Sequence, residues 1–133
     1  MAAGVAFMVA SCCNCGKVAS RKGGALTGDR WQLVQMEGRA FAAENDAYTL
    51  TFAEDKKVTG KGDCNRLTGT FENDGANGKL TFGPMAATRM MCPDQASENQ
   101  FLRLLGTIDS YSIDGRIMTL FANGEQKLMF EKK

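Results

Sequence analysis

The chain contains no histidine among its 133 residues. This absence excludes Ser-His-Asp and Cys-His catalysis, zinc sites with histidine ligands, and the side chain best suited to proton transfer near neutral pH. An excess of one charge is also lacking, since 16 basic and 15 acidic residues give a net charge of +1. Without a basic excess, the chain lacks the electrostatic character of a nucleic-acid-binding protein. We therefore expect no nucleic-acid partner and no enzymatic activity.

The chain also lacks an apolar run long enough to span a bilayer, and its uncharged first eleven residues have the length of the apolar part of a secretory signal. Val9-Ala10-Ser11-Cys12 resembles the bacterial lipobox, in which an apolar residue and two small ones precede a cysteine that is lipidated. We interpret residues 1–12 as a signal remnant and Cys12 as the lipidation site. The alternative is a chance apolar segment with an ordinary cysteine, since no basic residue precedes Cys12.

Residues 13–28 are rich in glycine and small polar residues and carry too little apolar surface to fold. They predict a flexible linker that would tether the following domain to a lipid membrane through an acylated Cys12. A chain of this length corresponds to one domain. We expect a monomeric globular domain over residues 29–133, located at the cell envelope as a membrane-anchored lipoprotein on the periplasmic or outer-membrane face.

Beyond the linker, short apolar alternations are separated by turn sequences, a pattern typical of β-rich proteins. In the segment AYTLTF, for example, Tyr48, Leu50 and Phe52 point to one face of a strand. The segment IMTLF, residues 117–121, is apolar on both faces and predicts the most central strand.

Two dipeptides near the end of the chain, Asp114-Gly115 and Asn123-Gly124, predict hairpins. Both central residues of a type I′ turn need a positive φ, which Asp, Asn and Gly tolerate best. We therefore expect three adjacent antiparallel strands after residue 106.

One segment, residues 93–106, changes from the strand period to a helical one. Asp94 lies where a helix N-cap is expected, and Gly106 is a plausible end of the helix. The apolar residues that recur at helical spacing are Phe101, Leu104, Leu105 and Ile108. We therefore predict an α+β fold, in which an antiparallel curled sheet or partly open barrel of about seven or eight strands packs on one helix.

Several residues of the chain form a set of short motifs. No single motif identifies a protein family, but their order and spacing together do. The residues are Trp31, Leu33, Leu50, Phe52, Cys64, Asn65, Gly69, Phe71, Thr88, Cys92, Glu98 and Phe101. Together they resemble the META domain, also called the HslJ family, over residues 31–130. Asp63 departs from the pattern, which has a glycine before the cysteine. The resemblance implies a small envelope or secreted protein, linked in some members to heat-shock induction or drug resistance, with no agreed activity or ligand.

The motif cysteines Cys64 and Cys92 are the candidates for a disulfide. Outside the cytoplasm thiols tend to pair, whereas Cys13 and Cys15 are too close in sequence to pair easily and lie on the linker. A bond between Cys64 and Cys92 would stabilise the fold by roughly 3 to 4 kcal/mol in the chain-entropy model. Two alternatives remain open. In the first alternative, both cysteines are buried free thiols. In the second, one of them is a reactive thiol for redox or acyl-transfer chemistry.

Soft-metal ligands also occur in the chain, with Cys12, Cys13 and Cys15 in the first part and methionines near Cys92. Those methionines are Met85, Met90 and Met91. Thiolate and thioether sulfurs select copper(I) or zinc, but the paired spacing of a structural zinc site is missing. We predict no metal and no cofactor, and keep soft-metal binding as an alternative function.

The resemblance and the patterning favour a non-enzymatic, lipid-anchored accessory module with a role in binding or envelope stress. The expected contact surface comprises the sheet or the loops Cys64–Arg66 and Met85–Cys92, and the partner is an unidentified envelope protein or small ligand. Within this surface we expect Asn65 to hydrogen-bond the backbone of its own turn. Gly69 is expected to let a neighbouring element pack closely on its strand.

Overall fold

The computed structural model describes residues 26–42 and 46–133, and this part contains ten strands and one helix. The strands are β1 (Arg30–Met36), β2 (Arg39–Ala40), β3 (Thr49–Phe52), β4 (Lys57–Lys61), β5 (Arg66–Asp74), β6 (Lys79–Phe82), β7 (Ala86–Ala87), β8 (Ser110–Asp114), β9 (Ile117–Ala122) and β10 (Glu125–Lys132). The helix α1 (Gln95–Leu105) lies between β7 and β8. The predicted signal remnant, Cys12, Cys13 and Cys15 lie outside the described residues.

Eight of the strands form an antiparallel barrel in the order β1-β3-β4-β5-β6-β8-β9-β10, and pairing of β10 with β1 closes it. The short strands β2 and β7 are additions that pair with β1 and β5. Closure satisfies the backbone groups that an open sheet would expose at its edges. The shortest strand pairing of the barrel is between β6 and β8, and it consists of the pair Lys79 and Ser110. The predicted α+β class, with about eight strands in a barrel-like sheet and one helix, is confirmed.

The core is filled by the inward side chains of the strands and by the buried face of α1. The largest of them are Trp31, Phe52, Phe71, Phe101 and Phe130, all fully buried. In β1 the alternation is interrupted between Leu33 and Met36, both buried, because a β-bulge shifts the register after Leu33. Burying each such side chain is worth about 1.5–3 kcal/mol, so this core is the main source of stability.

The folded part includes Leu26, a residue that falls within the predicted linker 13–28. Its side chain is 5% exposed, and its carbonyl oxygen accepts the indole N–H of Trp31 at 3.1 Å. A buried indole nitrogen needs such a partner. The domain therefore begins before residue 29, where composition alone placed its boundary.

The helix α1 covers the core with three of the four apolar residues predicted to share one face, Phe101, Leu104 and Leu105. The fourth, Ile108, is also buried but lies beyond the end of the helix. The carboxylate of Asp94 caps the start by accepting the backbone N–H of Ser97 at 3.2 Å. At the other end Gly106 has an ordinary helical φ of −70°, so a left-handed conformation does not end the helix. Within the described residues no helix has both the length and the hydropathy needed to cross a membrane.

The two predicted hairpins exist, but only one has the expected turn. Asn123 and Gly124 have φ of 53° and 81°, as a type I′ turn requires. In the other hairpin Asp114 still pairs with Ile117, so the turn residues are Gly115 and Arg116. The predicted turn at Asp114-Gly115 was wrong by one residue. A one-residue slip in register would turn Met118 out of the core, and core burial therefore decides the turn position.

The strand β9 was predicted to be the most central strand. In the closed barrel every strand of the ring has two neighbours, so no strand is central. Alternate residues of β9 are buried inside the barrel, and the others are half-buried on the outside. The inner ones are Met118, Leu120 and Ala122, and the outer ones are Ile117, Thr119 and Phe121.

Candidate functional site

A disulfide joins the two parts of the chain where the sequence motifs cluster. Cys64 follows β4, Cys92 precedes α1, and their Cα atoms lie 5.6 Å apart. This is the pairing that the sequence favoured. It holds the segment that leads into α1 against the start of β5, so the loop between β7 and α1 has a fixed position on the barrel.

Asn65 fixes the same loop through its side chain and is 2% exposed. Its amide nitrogen donates to the carbonyl oxygen of Met90 at 3.0 Å and to Oε2 of Glu98 at 2.7 Å. Its Oδ1 accepts the backbone N–H of Met90 at 2.6 Å and the hydroxyl of Thr88 at 2.9 Å. The expectation that Asn65 bonds its own turn was therefore wrong. The partners of this side chain lie on the loop before α1 and on the helix itself.

Glu98 is the charged residue at the centre of this network and is 1% exposed. Its Oε1 accepts the backbone N–H groups of Asn65 at 3.3 Å and Cys64 at 3.4 Å, and its Oε2 accepts the side-chain amides of Asn65 and Gln95 at 2.7 and 3.2 Å. Burial favours a raised pKa, but these hydrogen bonds, led by those from Asn65, outweigh it and hold the pKa of Glu98 below its ordinary value. The carboxylate is thus an ionised structural group and does not exchange protons near neutral pH.

Small residues make room for this network. A Cβ at Gly62 would lie 2.5 Å from Oε1 of Glu98 and 2.6 Å from its Cγ, so a side chain there would displace the carboxylate. At Gly69 a Cβ would collide with the sulfur of Met85 and approach the carbonyl oxygen of Pro84 to 3.0 Å, which is the close packing expected at that position. Neither Gly62 nor the central position of Glu98 was identified from the sequence.

Asp63, the residue that departs from the family pattern, has a partner of its own. Its Oδ2 accepts the backbone N–H of Asp94 at 3.0 Å. This hydrogen bond satisfies a donor that a helix start leaves unpaired. Asp63 therefore adds a further connection, beside the disulfide and the hydrogen bonds to Glu98, between the β4–β5 segment and the start of α1.

Tyr48 borders the network and is strained. It has a φ of 58° and is 2% exposed, and its hydroxyl has no hydrogen-bond partner in the described part of the chain. Burial raises the pKa of the Tyr48 phenol, and three carboxylates raise it further. These are Asp63, Asp94 and Glu98. The hydroxyl therefore stays protonated at physiological pH.

Because its hydroxyl is buried without a partner, Tyr48→Phe is expected to leave the free energy of unfolding unchanged or to raise it by up to about 1 kcal/mol. Urea denaturation of the two proteins measures the difference. Tyr111→Phe, at a half-buried tyrosine, is the matched control and should change stability by less than about 0.5 kcal/mol. A loss of more than about 1 kcal/mol at Tyr48 would mean that the hydroxyl has a bonded partner.

The loop held by Asn65 and the disulfide presents an apolar surface outward. Met90 and Met91 are 55% and 90% exposed, and among the described residues they are the only exposed large apolar side chains. We call Met90 and Met91 the methionine ridge. An exposed apolar pair on a loop whose backbone is held in place is a feature of binding surfaces.

A groove lies on each side of the methionine ridge, and Thr88 and Met90 line both grooves. The helix-side groove has a volume of about 520 Å³, and its other lining residues include Met85, Gln95, Asn99 and Leu102. The strand-side groove has a volume of about 910 Å³, and its other lining residues include Arg30, Thr49, Thr59, Lys61 and Arg66. The surface predicted from the loops Cys64–Arg66 and Met85–Cys92 is therefore one continuous region.

Within residues 26–42 and 46–133, no group of three or more cysteine, aspartate or glutamate residues is placed to hold a metal ion. Met85 and Met90 line the helix-side groove, whereas Cys13 and Cys15 lie outside the described residues.

The META domain family matches residues 24–133, a range that contains all the described strands, the helix α1 and the disulfide. The chain belongs to this family. The resemblance found in the sequence is thus confirmed. In this META domain the motif residues Cys64, Asn65, Thr88, Cys92 and Glu98 form a single network. The match also begins before Leu26, in agreement with the burial of that residue.

Solved structures resemble this META domain over most of its length. A protein from Burkholderia xenovorans, determined by NMR, is 30% identical with a TM-score of 0.63, and the match covers 81% of this chain and 83% of that protein. A second protein determined by NMR is 24% identical, with a TM-score of 0.64 and coverage of 86% and 95%. A DUF4847 family protein from Bacteroides vulgatus is 17% identical, with a TM-score of 0.62 and coverage of 80% and 93%. The last two show a shared fold only.

No curated protein matches this META domain. Its function is therefore inferred from its own residues.

Proposed function

We propose that this META domain is a non-enzymatic binding module of the cell envelope, tethered to a lipid membrane by an acylated Cys12 and acting in the response to envelope stress. Its contact surface is the methionine ridge with the two adjoining grooves. The observation that carries this proposal is the ridge itself, an exposed apolar pair on a loop held by one disulfide and one buried asparagine.

The groups in this region that are capable of chemistry are bonded or have an unfavourable pKa. The carboxylate of Glu98 accepts four hydrogen bonds, and the sulfurs of Cys64 and Cys92 are bonded to each other. The phenol of Tyr48 has a raised pKa, which makes it a poor base or nucleophile. These properties support a binding role, and the alternative of thiol-dependent redox or acyl-transfer activity would first require reduction of the disulfide.

The rigidity of the ridge favours binding for an energetic reason. A loop that is already ordered loses little conformational entropy when a partner binds, so more of the contact energy appears as affinity. Both backbone polar groups of Met90 are bonded to Asn65, and Cys92 is held by its disulfide. The two methionine side chains are thus presented to a partner from a fixed backbone.

The tether follows from the sequence Val9-Ala10-Ser11-Cys12. Each methylene of an acyl chain that enters a bilayer contributes about 0.8 kcal/mol, and two or more chains hold a protein on a membrane persistently. We expect mass spectrometry of the protein from its native membrane to show an acylated Cys12. Cys12→Ser should move the protein to the soluble fraction.

Cys13→Ser is the matched control for the tether, because it changes the adjacent cysteine and leaves the proposed lipidation site intact. That variant should remain in the membrane fraction. An unmodified chain with its first eleven residues still present would end the anchoring proposal.

A further inference from the structure

The charges that line the two grooves do not balance. Arg30 forms an ion pair with Asp46 at 2.9 Å, and the carboxylate of Glu98 is buried and accepts hydrogen bonds from inside the domain. Three charged groove residues remain, and none has an ion-pair partner in the described part of the chain. They are Lys61 and Arg66 in the strand-side groove and Arg89 in the helix-side groove. The chain as a whole has a net charge of only +1, so this excess is a local property of the surface.

An unpaired positive surface attracts a partner of the opposite charge and orients it during encounter. In this domain the three cations flank the methionine ridge on both sides. A complementary partner therefore carries negative charges on both sides of an apolar centre. Methionine suits that centre because its unbranched, polarizable side chain adapts to apolar groups of different shape.

The shape of the surface favours a linear partner. The ridge separates two concave grooves of about 520 and 910 Å³, within the size range of pockets that hold ligand groups. A chain that crosses the ridge places side chains in both grooves, whereas a flat lipid surface touches only the ridge.

The backbone of the ridge restricts how such a chain binds. The N–H and the carbonyl oxygen of Met90 are both bonded to Asn65, so at this residue the ridge cannot add a strand through backbone hydrogen bonds. Recognition must therefore come from side chains. Carboxylates suit Lys61, Arg66 and Arg89, and an apolar side chain suits Met90 and Met91.

We infer that the methionine ridge and its two grooves bind an extended polypeptide segment in which acidic side chains flank an apolar one. This inference rests on the proposed function and adds the chemical class of its partner.

Selection from a phage-displayed random-peptide library on the immobilised full chain tests the inference. We expect the selected peptides to carry aspartate or glutamate on both sides of methionine, leucine or phenylalanine. A selected peptide is then synthesised with a fluorescent label, and its affinity is measured by anisotropy. The affinity should fall as the ionic strength rises, because the surface charges are screened.

Variants of the ridge separate its apolar part from its charges. Met90→Ser together with Met91→Ser should weaken binding of the selected peptide by at least about tenfold. Met90→Leu with Met91→Leu, which keeps the apolar surface, should restore the affinity. These positions are exposed, so circular dichroism and thermal unfolding should match those of the wild-type chain.

A second set of variants reverses the charges of the cations that line the grooves. Arg66→Glu with Arg89→Glu should also weaken binding by at least about tenfold. Lys57→Glu is the matched control. Lys57 lies on β4 four residues before Lys61, is exposed, and lines neither groove. The affinity of this control should be unchanged.

Three results would overturn the inference. They are the absence of any selected peptide, selected peptides without acidic residues, and peptide binding that none of these variants alters. Phosphatidylglycerol vesicles are a further probe, used with the Cys12→Ser chain. Binding to vesicles that requires Met90 and Met91, without peptide binding, would overturn it in favour of a membrane surface. Acylation of Cys12 is measured independently, so an acylated chain without a selected peptide contradicts the inference but not the anchoring.

Discussion

Glu98→Gln is expected to lower the free energy of unfolding by about 3 kcal/mol or more. All four groups that bond the carboxylate are donors, two from backbone N–H groups and two from side-chain amides. Glutamine has the same shape, but its amide nitrogen is also a donor. The new amide nitrogen would therefore face the N–H donors that now bond one of the carboxylate oxygens. Because this side chain is 1% exposed, water cannot supply the missing acceptors. Urea denaturation at neutral pH measures this loss.

The same variant should also change the response to acid. The pKa of Glu98 is lowered in the folded domain, so as the pH falls the unfolded chain takes up this proton first. The contribution of Glu98 is complete above the unfolded pKa of about 4.3 and is lost as the pH falls through the folded pKa. The wild-type domain should therefore lose more stability than the Glu98→Gln variant over this interval, and the difference between the two should shrink.

Glu72→Gln is the control for Glu98, because Glu72 is exposed on β5 and its side chain has no hydrogen bond or ion pair in the described part of the chain. The stability of this control should change by less than about 0.5 kcal/mol. A similarly small change at Glu98 would refute its role as the acceptor that organises this site.

Removal of the disulfide should have an effect of similar size. Cys64→Ala with Cys92→Ala is expected to lower the free energy of unfolding by about 3.5 kcal/mol in the chain-entropy model, since the bond spans 28 residues. The measurement is urea denaturation without reductant, in a chain whose three N-terminal cysteines are replaced by serine. In that chain a reducing agent should destabilise the protein that retains Cys64 and Cys92, and should not affect the double variant.

Alkylation gives an independent test of the same bond. Neither Cys64 nor Cys92 should be labelled in the native chain, and both should be labelled after reduction and unfolding. Rapid labelling of one of them without reductant would show a free, reactive thiol. That outcome would favour the thiol-dependent activity over the binding role.

Local patterns in the sequence predicted the architecture well. Asp94 at the helix start and the apolar face that includes Phe101 indicated α1, because helix capping and periodicity depend on neighbouring residues. The alternation of Tyr48, Leu50 and Phe52 likewise predicted one face of a strand. Leu50 and Phe52 are buried in β3, whereas Tyr48 is buried but precedes the strand and has a φ of 58°. The strands β2 and β7 have two residues each and are too short to show a period.

The site was only partly visible in the sequence. Asn65 and Glu98 belong to the motif by which the chain resembles its family, but they lie 33 residues apart. Asparagine bonds its own turn in many loops, and no local signal distinguishes that arrangement from a bond to a distant helix. The ridge was predicted as a contact loop, yet the exposure of Met90 and Met91 was not, because buried methionine is equally consistent with the sequence.

The amino-acid sequence by itself determined most of the secondary structure, including the helix α1, the family and the absence of histidine-based chemistry, since each depends on composition or on residues close together in the chain. Only the tertiary structure decided that the barrel closes, that Glu98 is a buried ion saturated by donors, and that two methionines stand between two grooves with unpaired cations. These properties arise from contacts between residues that are distant in sequence. Their energies depend on burial and mutual distance, which no local pattern encodes.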